Sequence, residues 1–226
     1  MSLKIAFQGE LGANSHEACR TYFPDYEPVP CAVFEDAFEA VKTGACKLAM
    51  IPVENSIAGR VADVHHLLPR SGLKIIGERF KPIHFHLMVN KGVKLEAVRT
   101  VTSMPFALAQ CRTLLRRLKV ATEPSGDTAG AAKALAEHPD PTRASISPAL
   151  AAELYGLDIL MRDIEDEHHN TTRFLVMTAD PDPARPAQTE RCVTSFVFRV
   201  RNVPAALYNV ATTLRVQVTA TSSAGT

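Results

Sequence analysis

Apolar residues along the 226-residue chain gather into short runs divided by glycine turns and polar caps, a rhythm that predicts alternating strands and helices. LKIAFQ (3–8) reads as a strand; Gly9 and Gly12 turn the chain, and Asn14 or Ser15 is placed to cap a helix through HEACRTYF. Phe34, Ala37, Phe38 and Val41 recur at i, i+3, i+4, i+7, which predicts a second helix ended by Gly44. KLAMIPV (47–53) follows as a short buried strand, and Ile57, Val61, Val64, Leu67 and Leu68 predict a third helix closed by PRSG. Such alternation implies a largely parallel sheet covered on both faces.

From Lys74 to Asn90 the pattern becomes extended, with Pro82 interrupting it where the chain could pass from one lobe into another. A second series then begins. TVTS (100–103) leads into a helix with Ser103 as cap and Leu108, Cys111, Leu115 and Leu118 on one face. ATEPS, a helix after Asp127, RASIS, a helix after Pro148, and DILMRD continue it, and RFLVMT (173–178) reads as a strand returning to finish the structure. The expected division is a lobe of residues 1–76 plus 171–179, a second lobe of 77–170, and a proline-rich linker at 180–191. One more strand and helix follow, CVTSFVFRVRN and PAALYNVATTL, and QVTATSSAGT reads as a polar tail.

Composition changes this picture only by exclusion. With 46% apolar and 22% charged residues the chain is ordinary for a globular protein, and 25 Lys plus Arg against 24 Asp plus Glu leave a formal charge of +1. The basic residues form no stripe, so neither a nucleic acid nor a membrane surface is an expected partner. MSLKIAFQGELG reaches Lys4 and Gln8 too early for a signal peptide or spanning helix, which predicts a cytoplasmic protein. Cys19, Cys31, Cys46, Cys111 and Cys192 form an odd set with no Cys-x-x-Cys pair, which argues against a disulfide framework and a structural zinc site.

Candidate chemistry lies in polar clusters at the ends of apolar strands, where open α/β sheets bind ligands. Four qualify: GELGANS (9–15), ENS (Glu54, Asn55, Ser56), TSM around Ser103, and HNTTRF (169–174). Three sit at expected helix N-termini, which favour an anion. Each also has a plain reading: Ser15, Ser56 and Ser103 as helix caps, Glu54 as a turn residue, and Arg173 as a solvated arginine. The glycines of GELG do not fit a dinucleotide fingerprint and no Walker lysine follows them. Strand alternation puts Thr172 and Phe174 on one side, Thr171 and Arg173 on the other. His65-His66, His84 with His86, and His168-His169 lack the helical spacing of a zinc site, so no metal is expected.

Resemblance sharpens the reading. IPVENSIAGRV (51–61) resembles the Pro-x-Glu-Asn-Ser-x-x-Gly-x-Val signature of prephenate dehydratases, and NTTRF (170–174) their Asn-x-Thr-Arg-Phe motif. AFQGELGANSHEA and TSMPFALAQC are similar to two further segments of that family, and TSFVFRVRNVPAALYNV resembles the start of its phenylalanine-binding ACT domain. The likeness runs from about residue 3 to residue 214.

What the resemblance implies is an α/β fold with a two-lobed, periplasmic-binding-protein-like catalytic domain around a central cleft, then an incomplete ferredoxin-like ACT segment (192–226). It implies decarboxylating dehydration of prephenate to phenylpyruvate, water and carbon dioxide, without cofactor or metal, in a homo-oligomer. By this carry-over Thr172 serves the leaving hydroxyl, Arg173 grips a substrate carboxylate, and Glu54 orients donors or acts as the acid. Asn55, Ser56, Ser15, Ser103, Gln110, Asn170 and Phe174 would line the substrate, and Asn202, Ala205, Ala206 and Leu207 the effector. Ala13 and Asn14 replace the family's threonine and phenylalanine, Ala205 replaces a glycine, and the second effector motif is missing, so weak or absent phenylalanine inhibition is expected. Arogenate dehydration and non-catalytic binding of a small anion remain alternatives.

Overall fold

LKIAFQ forms β1 (Lys4–Gln8) and the segment behind its glycine turn forms α1 (Asn14–Tyr22), in a computed structural model that describes residues 3–180, 200–201 and 203–214. The N-cap of α1 is Ala13, without a side-chain cap, so neither Asn14 nor Ser15 takes that role. Between α1 and α2 (Phe34–Lys42) lies a strand that the apolar pattern does not predict, β2 (Glu27–Cys31), with prolines at 28 and 30. It runs parallel to β1, with its Glu27 N–H donating to Leu3 O and its Cys31 carbonyl accepting from Gly9 N–H. The residues turned toward β1 are therefore 27, 29 and 31. Pro28 and Pro30 place their missing N–H groups on the outer edge of the sheet, where nothing needs them.

KLAMIPV lengthens into β3 (Leu48–Asn55), which folds back as a short hairpin with β4 (Gly59–Arg60). The expected helix from Ile57 is thereby corrected: Ile57 lies in the hairpin turn, and α3 covers only Ala62–Leu67. β5 (Lys74–Pro82) pairs along its length with β11 (Thr171–Thr178), so the lobe divide expected between Ile76 and Gly77 falls inside a strand. The crossing follows Pro82. The first sheet has the order β2-β1-β3-β11-β5, parallel among β1, β2 and β3 and antiparallel at β11.

The second sheet collects β6 (His86–Val89), β7 (Thr100–Ser103), β8 (Ala121–Pro124), β9 (Arg143–Ser147) and β10 (Asp158–Met161) in the order β10-β6-β9-β7-β8. Here too the largely parallel arrangement expected is a mixed one, since β6 is antiparallel to both neighbours. The helix expected after Ser103 is two helices, α4 (Pro105–Gln110) and α5 (Arg112–Leu118), because Cys111 leaves helical geometry at φ −118°, ψ 24°. α6 (Thr128–Glu137) is capped by Asp127, whose carboxylate accepts from Gly130 N–H, and α7 (Ala149–Tyr155) starts after Pro148.

Two lobes result, joined by two crossovers, residues 83–85 and 162–170. Each buries its own core: Ile5, Phe7, Met50 and Phe174 on the α1 side of the first sheet, and Phe85, Val101, Ile146 and Leu115 in the second lobe. Complete burial of such side chains stabilises by about 1.5–3 kcal/mol each. The lobes also touch at the glycine turn. Ala13 is buried among Met88, Ala129, Ala132 and Ala151, and a Cβ on Gly12 (φ 93°) would stand 2.9 Å from Ala151 Cα. Tyr155 Oη donates to Leu11 O at 2.7 Å, and Lys133 pairs with Glu10 at 3.2 Å.

Residues Gln188–Thr226 form a second unit. Its described part is α8 (Ala206–Leu214), preceded by Ala205 in the left-handed region at φ 59°. A glycine would take that backbone without strain. The expected strand at 192–202 and the polar tail lie largely outside the described residues, as do Asn202 and the side chain of Leu207. Among the described residues no helix is long and apolar enough to cross a membrane.

Candidate functional site

A bulge where β3 meets β11 sets the site. Cα partners run Leu175 with Ile51 and Phe174 with Pro52, but the next pair is Arg173 with Glu54, leaving Val53 without a partner. The extra residue shifts the pleat, so Glu54 joins Arg173 on the α2–α3 side and Asn55 joins Thr172 on the α1 side. Without it Glu54 would share a face with Met50.

On the α1 side an amide network runs from one lobe to the other. Asn55 Oδ1 accepts from the N–H groups of Ile57 (3.0 Å) and Ala58 (2.8 Å), which fixes the orientation of its side chain. Its Nδ2 then donates to Thr172 Oγ1 at 2.9 Å and to Asn170 Oδ1 at 2.7 Å. Asn170 Nδ2 in turn donates to Gln110 Oε1 on α4. Asn55, Asn170, Thr172 and Gln110 are all buried. Thr172 Oγ1 is an acceptor in this network, which leaves its O–H proton uncommitted within it. Low dielectric around the chain of bonds strengthens that donor.

Lys81 completes this face. It is the Cα partner of Thr172 across β5, so the two side chains project on the same side. Its stem is buried and its ammonium meets Glu17 Oε2 at 2.9 Å and Pro82 O at 3.0 Å. Sequence reasoning missed Lys81, because cross-strand register is invisible in a linear pattern and β5 carries three other charged residues.

The opposite face carries an arginine between two carboxylates. Arg173 places Nε and a terminal nitrogen 2.8 Å from Glu78 Oε2, and a second terminal nitrogen 4.0 Å from Glu54 Oε2. Arg173 therefore lies across the strand from the Thr172 hydroxyl, in a carboxylate pair. The carry-over had Arg173 grip a substrate carboxylate; here its guanidinium meets Glu78 and Glu54 on the side of the strand away from the Thr172 hydroxyl.

Other expected residues are placed differently. Ser56 Oγ donates to His169 O and accepts from Thr171 N–H, both at 3.0 Å, so it knits the hairpin turn to the second crossover and caps no helix. Ser103 ends β7, fully buried, with its hydroxyl donating to Ile146 O at 2.6 Å; the residue capping α4 is Met104. Phe174 packs in the α1-side core rather than facing a ligand. Ser15 is buried in the first turn of α1, and Asn14 Oδ1 beside it has no partner. The glycine turn does not offer all its amides: Gly12 N–H is taken by His16 Nδ1 at 2.9 Å, and burial holds that imidazole below its ordinary pKa, hence neutral. Of the effector residues, Ala205 and Ala206 fall at the start of α8. Cys19, Cys46 and Cys111 are buried and unpaired, and burial pushes their thiols up.

Fold and geometry thus define a two-lobed α/β protein with an oriented hydroxyl and a chain of amides buried at the seam of its lobes. Residues 5–182 match the family model described as prephenate dehydratase, and the chain belongs to that family. It is 42% identical to a bifunctional N-acyl-homoserine lactone acylase/prephenate dehydratase of Komagataeibacter europaeus, over 90% of this chain and 72% of that protein. With an arogenate dehydratase/prephenate dehydratase of Arabidopsis thaliana the identity is 38% over 91% of this chain and 54% of the relative, so the chain spans about half the length of such relatives. Among solved structures, a quorum-quenching acylase of a novel type superposes with TM-score 0.80 at 40% identity, covering 93% of this chain and 76% of that one. The prephenate dehydratase of Arthrobacter aurescens, solved with L-Phe, gives 0.76 at 30%, covering 83% and 63%.

Proposed function

We propose that this chain catalyses the decarboxylating dehydration of prephenate to phenylpyruvate. Prephenate carries two carboxylates and a ring hydroxyl. As the ring carboxylate leaves as carbon dioxide, its bonding electrons enter the ring and the hydroxyl departs with the C–O pair, taking a proton to become water. Aromatisation drives the step. The protein's task is to hold a dianion and stabilise oxygen as the C–O bond stretches.

Thr172 is the group for the departing hydroxyl. The observation that carries this reading is that Asn55 Nδ2 donates to Thr172 Oγ1, which aims the threonine's own proton away from the protein network. A threonine is a weak acid, so its role is hydrogen-bond assistance during C–O cleavage rather than prior protonation. Gln110 uses its carbonyl for Asn170, which leaves its N–H groups for a substrate carboxylate or keto group. Lys81, on the same face, has its ammonium paired with Glu17, and a bound dianion would compete for it, while Arg173 with Glu54 and Glu78 braces the strand from behind. Phenylalanine is the effector proposed for the residues around Ala205, with weak inhibition because alanine crowds the backbone approach that glycine would leave open.

The test is phenylpyruvate formation from prephenate by the wild type and by Thr172→Ala. The variant is expected to lose at least about 100-fold in kcat with an unchanged melting temperature. Unchanged turnover would remove this role for Thr172. Arogenate, in which an amine replaces the keto group, is a second substrate to assay in parallel, since relatives at 37–40% identity carry that activity in their names. An N-acyl-homoserine lactone belongs in the same assay because of the acylase relatives. Turnover of the lactone alone would overturn the dehydratase reading.

A further inference from the structure

We propose that His84, Asp163 and Glu165 form a binding site for a divalent transition-metal cation at the hinge between the lobes. The two crossovers run side by side there: Ile164 N–H donates to Phe85 O and Phe85 N–H donates to Glu165 Oε2, both at 2.9 Å. This pairing brings together ligand atoms that lie 79 to 81 residues apart in the chain. His84 Nδ1 stands 2.8 Å from Glu165 Oε1 and 3.5 Å from Asp163 Oδ1, and the three atoms all lie within 4.8 Å of one another. Nitrogen and oxygen ligands sit about 2.0–2.2 Å from Zn2+. Neighbouring ligands of one ion are then separated by roughly 3 to 3.6 Å, so small side-chain rotations admit the cation.

Charge balance points the same way. Glu165 has a side chain only 1% exposed. Asp163 brings a second carboxylate to the same imidazole nitrogen. Among the ion pairs of the described residues, these two acids share only imidazoles, His84 with both and His86 with Asp163 at 3.9 Å. A divalent ion matches the charge of two carboxylates and can take His84 Nδ1 in place of its contact with Glu165.

The surroundings present the ligands. Buried His86 accepts Asp163 N–H at Nδ1 (3.1 Å), and Asp163 holds a left-handed backbone at φ 50° that turns its carboxylate toward His84. His84 and Asp163 are about half exposed, which gives an ion a route from solvent and leaves positions for water. One imidazole with two carboxylates suits Zn2+, Mn2+ or Co2+ better than Ca2+, which prefers an all-oxygen shell. The ion would pin the two crossovers to each other, away from the Thr172 network, and so bias lobe opening rather than take part in chemistry.

The experiment is calorimetric titration of the metal-stripped full chain with Zn2+, repeated with Co2+ to read the ligand field by visible absorption. Uptake of about one equivalent is expected, with a higher melting temperature on binding. His84→Gln and Asp163→Asn should each weaken binding by about tenfold or more. Asparagine tolerates the left-handed backbone, so Asp163→Asn removes a ligand charge while the chain still folds. His168→Gln with His169→Gln controls for adventitious surface sites and should leave binding unchanged. No saturable uptake by the wild type, or equal uptake by His84→Gln and Asp163→Asn, would overturn the proposal.

Discussion

The two faces of β11 do opposite work with neighbouring residues. On the α1 side Thr172 sits in a buried chain of amides, with Lys81 beside it, and accepts from Asn55. On the α2–α3 side Arg173 is held between Glu78 and Glu54, its charge met inside the protein. A motif that reads as one string of polar residues is, in space, a hydroxyl in an amide network on one face and an ion-paired guanidinium on the other. Adjacency in a strand separates side chains instead of joining them.

Substitutions can break that contrast. The largest effect is expected from Asn55→Asp, which keeps the acceptor for Ile57 and Ala58 but replaces the donor to Thr172 with a second acceptor. The threonine proton would then turn inward, and kcat is expected to fall by about 100-fold or more while the turn stays intact. Wild-type kcat in this variant would mean that the Asn55–Thr172 bond has no part in turnover.

Arg173→Ala acts on the other face. It leaves Glu78, three-quarters buried, without its 2.8 Å partner, and is expected to cost about 1–3 kcal/mol of stability, seen in chemical denaturation. If the guanidinium instead gripped substrate, KM would rise and stability would hold, which is the outcome that separates a brace from a ligand.

The smallest expected effect is on pH. Burial, then the charge of Arg20, holds His16 below the ordinary imidazole value of 6.5, and burial does the same for His86. The unfolded chain therefore binds these protons first as pH falls, and the folded state loses stability below about pH 6.5. Melting curves from pH 7.5 to 5.5 should show the loss, and His16→Gln should reduce it.

Much of this was legible beforehand. Apolar alternation located β1, β3 and β11, and the motif residues Asn55, Gln110, Asn170 and Thr172 do meet in one network. Failures have local causes. β2 escaped notice because two prolines look like a loop until one edge of the strand is known to be free. The helix expected from Ile57 was displaced because Asn55 captures the next two amides and bends the chain into a hairpin. Ser103 resembled a cap but spends its proton on a neighbouring strand. Lys81 beside Thr172, and His84 beside Glu165, depend on register and on the course of the crossovers, neither of which a linear pattern encodes.

Val53, the unpaired residue of the bulge, acts as a phase shifter. Downstream of it, odd and even positions exchange sides, so the same eight-residue strand anchors two hydrophobic cores and then delivers a carboxylate and an amide to opposite compartments. Ironing the bulge out, with Val53 paired to Arg173, would leave the composition untouched while sending Glu54 to the threonine and Asn55 to the arginine's side.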